Sequence, residues 1–523
     1  MRLASLHSLP TWPLHAVSAT REIERQILRD ESDDRWMLEA GAVAANLARA
    51  IAPHARRIGI ACGSGHNGGD GYAMAAALCH ALTACGANVY VMQTGSSALS
   101  PLTQTMRWRA LEAGATEVHA WPDDLDLAVD AISGIGSQGN PRTAIADLLL
   151  EMHRAPCFLA LDVPTGLHAD TGEWLIDPSL LPPPPTSQSR HTLSLITVKP
   201  GLLTGAGRDW SGTVWISSLG AAWSDTPQNQ AKATLGNQPW PKREHLHQAH
   251  KGSFGDVTVL AGQAPTATRT GMLGAAVLAA RSALHAGAGR VTWVPLGGSR
   301  DALPTLDPGQ PDVMIQHLEY WLRGPQPSGS VWVVGCGGGE AVAEMLPLAL
   351  AHPRAVVLDA DALNHIAQDA ALKQRFCARG QRGWIQVFTP HPLEAARLLG
   401  LSCAQVQRDR LGCAQAIAEQ LWGIVVLKGS GSITAAPNLP PIVNASGNAR
   451  LAVGGTGDVL AGAIAGRLAA HRNTLQPDQA EPNWGAHQSH VAATVWEHGH
   501  LADTWPAHQS MTASALAAAF VRA

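Results

Sequence analysis

The sequence predicts two α/β domains in tandem, each built on a parallel sheet covered by helices on both faces. Three observations carry that reading. Short runs rich in Val, Ile and Leu alternate with longer Ala/Leu segments, the pattern of strand and helix in turn. The runs are continuously apolar rather than alternating, as strands buried on both faces are. At 523 residues the chain is also too long for one ordinary core.

Taken in order, the first half's strands are expected at Arg57–Ala61, Asn88–Met92, Leu127–Ile132, Cys157–Val163, Thr192–Val198 and Thr213–Ser217. Comparable runs in the second half are Asp256–Leu260, Val331–Gly335, Ala355–Leu358, Trp384–Phe388 and Ile424–Lys428. The stretch from Ala221 to His250 is polar and aperiodic and reads as the linker. A boundary near residue 235 then gives domains 1–235 and 236–523. The tetraproline Pro182–Pro185 reads as a surface insertion in the first domain, because a linker there would orphan the strands after it.

Composition narrows the function. Hydrophobic residues make up 46% and charged residues 15%, as in a well-packed soluble protein, and the net charge of −4 offers no footprint for nucleic acid or an anionic membrane. Small-molecule partners are expected. The eight cysteines lack a Cys-x-x-Cys pair or a zinc spacing and read as free buried thiols in a reducing compartment. The first thirty residues lack a basic start and apolar core, and no apolar segment reaches membrane-span length, so a cytoplasmic location is expected.

Two glycine-dense segments carry the chemistry. Leu451-Ala-Val-Gly-Gly-Thr-Gly-Asp-Val-Leu-Ala-Gly462 runs a glycine loop into a helix, with Asp458 at the junction. Such a helix start receives a phosphate, and Asp458 stands ready to take a proton from a hydroxyl beside it. The alternative, that the glycines only turn the chain and Asp458 only caps the helix, is open on this segment alone. In the first half, Ile58-Gly-Ile-Ala-Cys-Gly-Ser-Gly-His-Asn-Gly-Gly-Asp-Gly71 is a strand feeding a glycine-dense loop, expected to lead into a helix over Tyr72–Thr83.

That loop resembles the Gly-x-Gly-Asn-Asn-Gly-Gly-Asp-Gly signature of the NAD(P)HX epimerase domain. Asp130-Ala-Ile-Ser-Gly-Ile-Gly136, Leu161-Asp-Val-Pro-Thr-Gly-Leu-His-Ala-Asp-Thr-Gly172 and Lys199-Pro-Gly-Leu-Leu-Thr-Gly205 match its further elements in order. The resemblance implies a Rossmann-like three-layer domain in which Asn67, Asp130 and Thr165 hold a potassium ion and Asp162 is the acid/base group. It also implies a dinucleotide cradle of His66, Asn67, Gly68, Gly69 and Asp70 with Gly134, Ile135, Gly136, Ser137, Gln138, Gly139 and Asn140. His66, Ile135, Thr165 and His168 depart from the family's asparagine, threonine, serine and aspartate. Thr165 keeps a coordinating hydroxyl, whereas Ile135 removes one near the substrate.

The second half carries His250-Lys-Gly-Ser-Phe-Gly255, Gly335-Cys-Gly-Gly-Gly339, Val357-Leu-Asp-Ala-Asp-Ala-Leu363, Phe388-Thr-Pro-His-Pro-Leu-Glu394 and Leu427-Lys-Gly-Ser-Gly-Ser-Ile433 ahead of the Asp458 loop. Together these are similar to the ADP/ATP-dependent NAD(P)HX dehydratase, a ribokinase-like α/β fold. The resemblance implies that Lys428, Gly429, Ser430, Gly431, Ser432 and Gly457 bind the nucleotide, with ADP as co-substrate, ATP as the other candidate and Mg2+ accompanying it. Ala275, Gly337, Gly339, His391 and Asp458 would contact the hydrated nicotinamide nucleotide, with Asp458 catalytic. Asp359 and Asp361 stay undecided between helix caps and cleft residues.

The implied protein is a bifunctional isomerase and hydro-lyase acting on NADHX and NADPHX, without nucleic-acid or membrane partners and a homo-oligomer by analogy. One rival stays open, a small-molecule hydroxyl kinase behind a non-catalytic first half, since ribokinase-like folds host many kinases.

Overall fold

The computed structural model describes residues 3–27, 33–82, 85–95, 98–136, 143–221, 230–241, 247–265, 270–297, 303–324, 329–471 and 483–521. Two compact units divide between Leu235 and Gly236. No helix among the described residues is long and apolar enough to cross a membrane.

The first unit is a sheet of eight strands, β1 Ala4–Ser5, β2 Arg57–Cys62, β3 Asn88–Gln93, β4 Thr116–Glu117, β5 Leu127–Ala131, β6 Cys157–Leu161, β7 Ser189–Leu195 and β8 Thr213–Ser217. Their order is β1-β8-β7-β6-β5-β2-β3-β4. All neighbours run parallel except β1, which meets β8 antiparallel. The continuous apolar runs explain the parallel core, since β5 and β6 are buried at every residue. Register sets Asp130, near the end of β5, between Ala61 and Ala160. Open parallel sheets bind ligands at that carboxyl edge.

The short strands β1 and β4 fall outside the expected runs, and β7 spans Ser189–Leu195 instead of Thr192–Val198. The helix after β2 spans His66–Leu82, so Asn67 to Asp70 form its first turn rather than a loop before Tyr72. The glycines there serve close packing. A Cβ at Gly68 would lie 1.9 Å from the Gly63 carbonyl oxygen, and one at Gly69 2.4 Å from Met37 Sδ. The Pro182–Pro185 segment lies between β6 and β7, inside this unit.

The second unit's strands are β9 Asp256–Gln263, β10 Arg290–Leu296, β11 Met314–Ile315, β12 Val331–Val334, β13 Ala355–Leu358, β14 Ile385–Phe388, β15 Ile424–Leu427, β16 Ile433–Ala436 and β17 Leu439–Asn444. They follow the order β11-β10-β9-β12-β13-β14-β15-β16-β17. The pairs from β11 to β15 are parallel, and β15-β16-β17 is antiparallel, which an all-parallel expectation misses. Alternate residues of the central strands, including Val257, Val333, Val357, Val387 and Val426, share one core with the helices Leu273–His285 and Thr456–Ala470. Alanines such as Ala279 and Ala465 on those helices keep that layer thin.

The cysteines form no disulfide; five are buried, but Cys85 and Cys403 are exposed, so not all are core thiols.

Candidate functional site

In the first unit, a cavity of about 700 Å³ opens at the carboxyl edge of the sheet. Of the sequence-selected residues, His66, Asn67, Asp70, Gly134, Ile135, Gly136 and Asp162 line it. Gly68 and Gly69 are buried behind it in helix packing. Ser137, Gln138, Gly139 and Asn140 lie outside the described residues.

Asp162 directly follows β6 and adopts φ 65°, a left-handed conformation that L residues pay for. Both its oxygens are engaged: the buried Lys199 ammonium ion-pairs with Oδ1, and the Ile135 backbone N–H donates to Oδ2 at 3.1 Å. The second contact requires glycine at 134, because a Cβ there would stand 2.6 Å from Asp162 Oδ2. Lys199 Nζ also donates to the carbonyls of Leu195 at 3.0 Å and Thr197 at 3.1 Å, which anchors it under the loop. Sequence reading quoted the Lys199 segment as a motif but gave the lysine no role, because its partner lies 37 positions away.

Asp130 and Thr165 sit below the cavity, 1% and 3% exposed. Asp130 Oδ2 accepts from the Thr165 N–H at 2.8 Å, and its Oδ1 accepts from the Thr165 hydroxyl at 2.8 Å. Burial pushes the Asp130 carboxyl above its usual range, against the hydrogen bonds from Thr165. Asn67 presents a buried side-chain amide whose oxygen and nitrogen both lack a hydrogen-bond partner. An orphaned buried amide is costly and calls for a partner, which an ion or a water would supply. Its oxygen, the Asp130 carboxylate and the Thr165 hydroxyl are hard-oxygen groups, the chemistry that suits a potassium ion.

In the second unit, the parallel strands deliver their following residues to one edge. Asp359 follows β13 and Lys428 follows β15, and their side chains pair, Nζ to Oδ1, at 2.7 Å. Asp359 is 2% exposed. Burial pulls the Lys428 ammonium down, but the carboxylates of Asp359 and Glu394 more than restore it, so its pKa is raised. Cys336, the thiol in the Gly335–Gly339 loop, lies 3.9 Å from Asp359 Oδ2. One ligand atom each from Cys336, Asp359 and Asp458 falls within 4.8 Å of the others.

Asp458 stands in the first turn of Thr456–Ala470, behind the left-handed Gly455 at φ 96°. Its carboxyl is pushed up to about 6 by burial first and the Asp359 charge second, while a hydrogen bond with Cys336 and the Lys428 charge hold it down. A carboxylate poised there accepts a proton at neutral pH and can hand it on. The N-cap residue, Gly455, has no side chain to cap the first N–H groups of this helix.

The remaining loops are fixed by Asp361, which the sequence leaves undecided, and by Arg410, which no motif selects. Asp361 Oδ2 accepts from the Gly339 N–H at 2.8 Å, tying down the glycine loop. Gly337 and Ala275 meet directly, since a Cβ on the glycine would lie 3.0 Å from Ala275 Cβ. The buried Arg410 guanidinium donates to the carbonyls of Lys428 at 3.2 Å and Gly431 at 3.5 Å, shaping the 428–432 segment, and Ser432 Oγ donates to the Gly429 carbonyl at 3.1 Å. His391 is foremost a cap. Its Nδ1 accepts from the N–H groups of Leu393 and Glu394 at 3.1 and 3.3 Å, and its Nε2 lies 3.2 Å from Glu394 Oε1.

Comparison with known proteins follows the same division. The family described as NAD(P)H-hydrate dehydratase matches residues 257–521, and the one described as YjeF-related protein N-terminus matches residues 33–201. The bifunctional NAD(P)H-hydrate repair enzyme of Escherichia coli strain K12 is 34% identical over 445 residues, covering 83% of this chain and 80% of that protein. The ADP-dependent (S)-NAD(P)H-hydrate dehydratase of Neisseria meningitidis serogroup B is 39% identical over 280 residues, covering 53% of this chain and 85% of its own. A solved ADP/ATP-dependent NAD(P)H-hydrate dehydratase from Bacillus subtilis, co-crystallized with ATP/Mg2+, is 27% identical with a TM-score of 0.40, covering 52% of this chain and 90% of that one.

Proposed function

The chain belongs to the bifunctional NAD(P)H-hydrate repair enzymes, and from that premise we propose how its residues divide one repair between two sites. The first half interconverts the epimers of hydrated NADH or NADPH, and the second dehydrates the S form with a nucleotide as co-substrate. The residue roles below are the proposal.

In the epimerase half, Asp162 is the acid/base group at the reacting carbon. Lys199 and the Ile135 N–H hold its carboxyl so that it faces the cavity in one orientation. Asn67, Asp130 and Thr165 hold potassium, a reading supported by the partnerless Asn67 amide. When bound, the ion would supply positive charge at the edge of the cavity that Asn67 lines. The Asn67–Asp70 turn adds the N–H groups of a helix start.

In the dehydratase half, hydroxide is a poor leaving group, so the ring hydroxyl is first phosphorylated. Asp458 takes the hydroxyl proton and the oxygen attacks the terminal phosphoryl group of ADP, releasing AMP. Elimination of phosphate then restores the dihydronicotinamide. The helix start behind Gly457 stabilises charge on the transferred group, and the 428–432 segment receives the nucleotide. Magnesium enters with the nucleotide: a thiol and an ammonium-paired carboxylate beside Asp458 make a poor resident magnesium site. Fusion to an epimerase favours ADP over ATP as donor.

The observation that carries this reading is Asp458, poised near 6 at a helix start beside a buried Asp359–Lys428 pair. The test follows absorbance of the reduced nicotinamide band after racemic hydrated NADH is mixed with protein, potassium, magnesium and either nucleotide. Full recovery with ADP supports both roles and names the donor. Recovery stopping near half would leave the first half idle, and accumulation of a phosphorylated product would return the kinase alternative.

A further inference from the structure

The epimerase cavity holds a carboxylic acid that no motif selected. Glu24 lies on the helix Val17–Ile27, before the region matched by either family, and lines the same cavity as Asp162 and Asp70. We propose that Glu24 is the second acid/base group of epimerisation, protonating the ring hydroxyl as it departs while Asp162 receives the proton of the water that adds back. This rests on the reading of Asp162 given above.

Inversion at one carbon requires oxygen to leave one face of the ring and arrive at the other. Two groups from different elements serve that better than one. Asp162 accepts hydrogen bonds on both oxygens, from Lys199 and Ile135, and so is arranged as an acceptor. The complementary donor must hold a proton. Burial first, and the Asp162 charge second, raise the Glu24 carboxyl, while Lys199 and Arg21 counter that rise. Asp70 is the competing acid. Burial, then the charges of Asp162 and Glu24, push it well up, and the variants below separate its role from that of Glu24. Arg25 and His66 complete the ionisable lining.

The step balances without a redox partner. Glu24 gives its proton to the hydroxyl, and the carbon–oxygen bond breaks to release water. The adjacent ring nitrogen supplies the electron pair that forms a carbon–nitrogen double bond. Water then adds to the opposite face, losing a proton to Asp162; Asp162 passes that proton to solvent and solvent returns one to Glu24, which restores both groups.

The experiment uses the full chain with its own dehydratase as reporter. Absorbance recovery from purified R epimer, corrected for the spontaneous rate, reads epimerisation, and recovery from S epimer controls for folding. Glu24→Gln is expected to lower epimerisation kcat at least about tenfold, with KM little changed, S-epimer turnover intact and the alkaline fall of the pH profile gone. A Glu24→Gln enzyme that keeps wild-type kcat and its alkaline fall, while Asp162→Asn has lost epimerisation, overturns the proposal alone. Loss of that fall in Asp70→Asn rather than Glu24→Gln also overturns it, giving the role to Asp70. Wild-type epimerisation by Asp162→Asn would remove the underlying reading as well.

Discussion

The two halves each set an aspartate–lysine pair at the carboxyl edge of a parallel sheet, but connect it to the reacting group differently. In the first, Lys199 grips the proposed base itself, and a backbone N–H takes the other oxygen. In the second, Lys428 grips a neighbour, Asp359, and the base Asp458 is left to feel that pair through space. Direct pairing fixes orientation; indirect pairing tunes proton affinity. An epimerase site needs a group held in place over a ring whose faces exchange, whereas a phosphoryl acceptor needs a base whose affinity sits near neutrality.

The largest effects should separate the halves. Asp458→Asn is expected to lower nucleotide-dependent dehydration of the S epimer by about 10³-fold, the range of a lost general base. R-to-S conversion, followed by chromatography, should stay intact. Asp162→Asn should do the reverse, leaving racemate recovery near half. If either variant impaired both reactions equally, the division of labour would be wrong.

Next comes Gly134→Ala, whose added carbon meets Asp162 Oδ2 at 2.6 Å. Displacing the carboxyl should cost epimerisation about 10²-fold, measured with R epimer, without touching S-epimer turnover. An unchanged rate would mean that the orientation of Asp162 is not what the loop protects.

The indirect arrangement is tested by pH. Dehydration requires ionised Asp458, so kcat/KM should fall as pH drops through about 6. Lys428→Met removes a charge that lowers this carboxyl, so the acid fall should move to higher pH. Cys336→Ala removes the hydrogen bond that lowers the same carboxyl, the larger of the two lowering influences, and should shift the fall the same way by at least as much. A downward shift in either variant would contradict the assigned causes.

Much of the fold was legible because its signal is local. Buried parallel strands read as unbroken apolar runs, and β2, β3, β5, β8 and β13 fall where those runs lie. The β16–β17 hairpin escaped because β17 holds Pro440 and Pro441, which read against a strand; its turn holds Pro437 and Asn438, the latter at φ 59°, a Pro-Asn signal that went unused. The helix start at His66 was misplaced because a run of glycines suggests a loop, whereas here they permit contact with Gly63 and Met37. Asp130 and Thr165, which bond each other below the cavity, and the cavity-lining Asp162 were found through motif resemblance. Lys199–Asp162 and Lys428–Asp359 join residues 37 and 69 positions apart, and no spacing rule in one sequence reveals such partners.

The left-handed backbone of Asp162 narrows what mutation can do to this protein. Most side chains would pay roughly 1–2 kcal/mol to occupy that conformation, and many would leave Lys199 without an acceptor. Asparagine tolerates the conformation, still offers Lys199 an oxygen, and lies a single nucleotide change from aspartate. A lineage could therefore silence its isomerase in one step while keeping an intact, soluble first half, and such a descendant would be betrayed by an Asp-to-Asn change at this one codon rather than by decay of the fold.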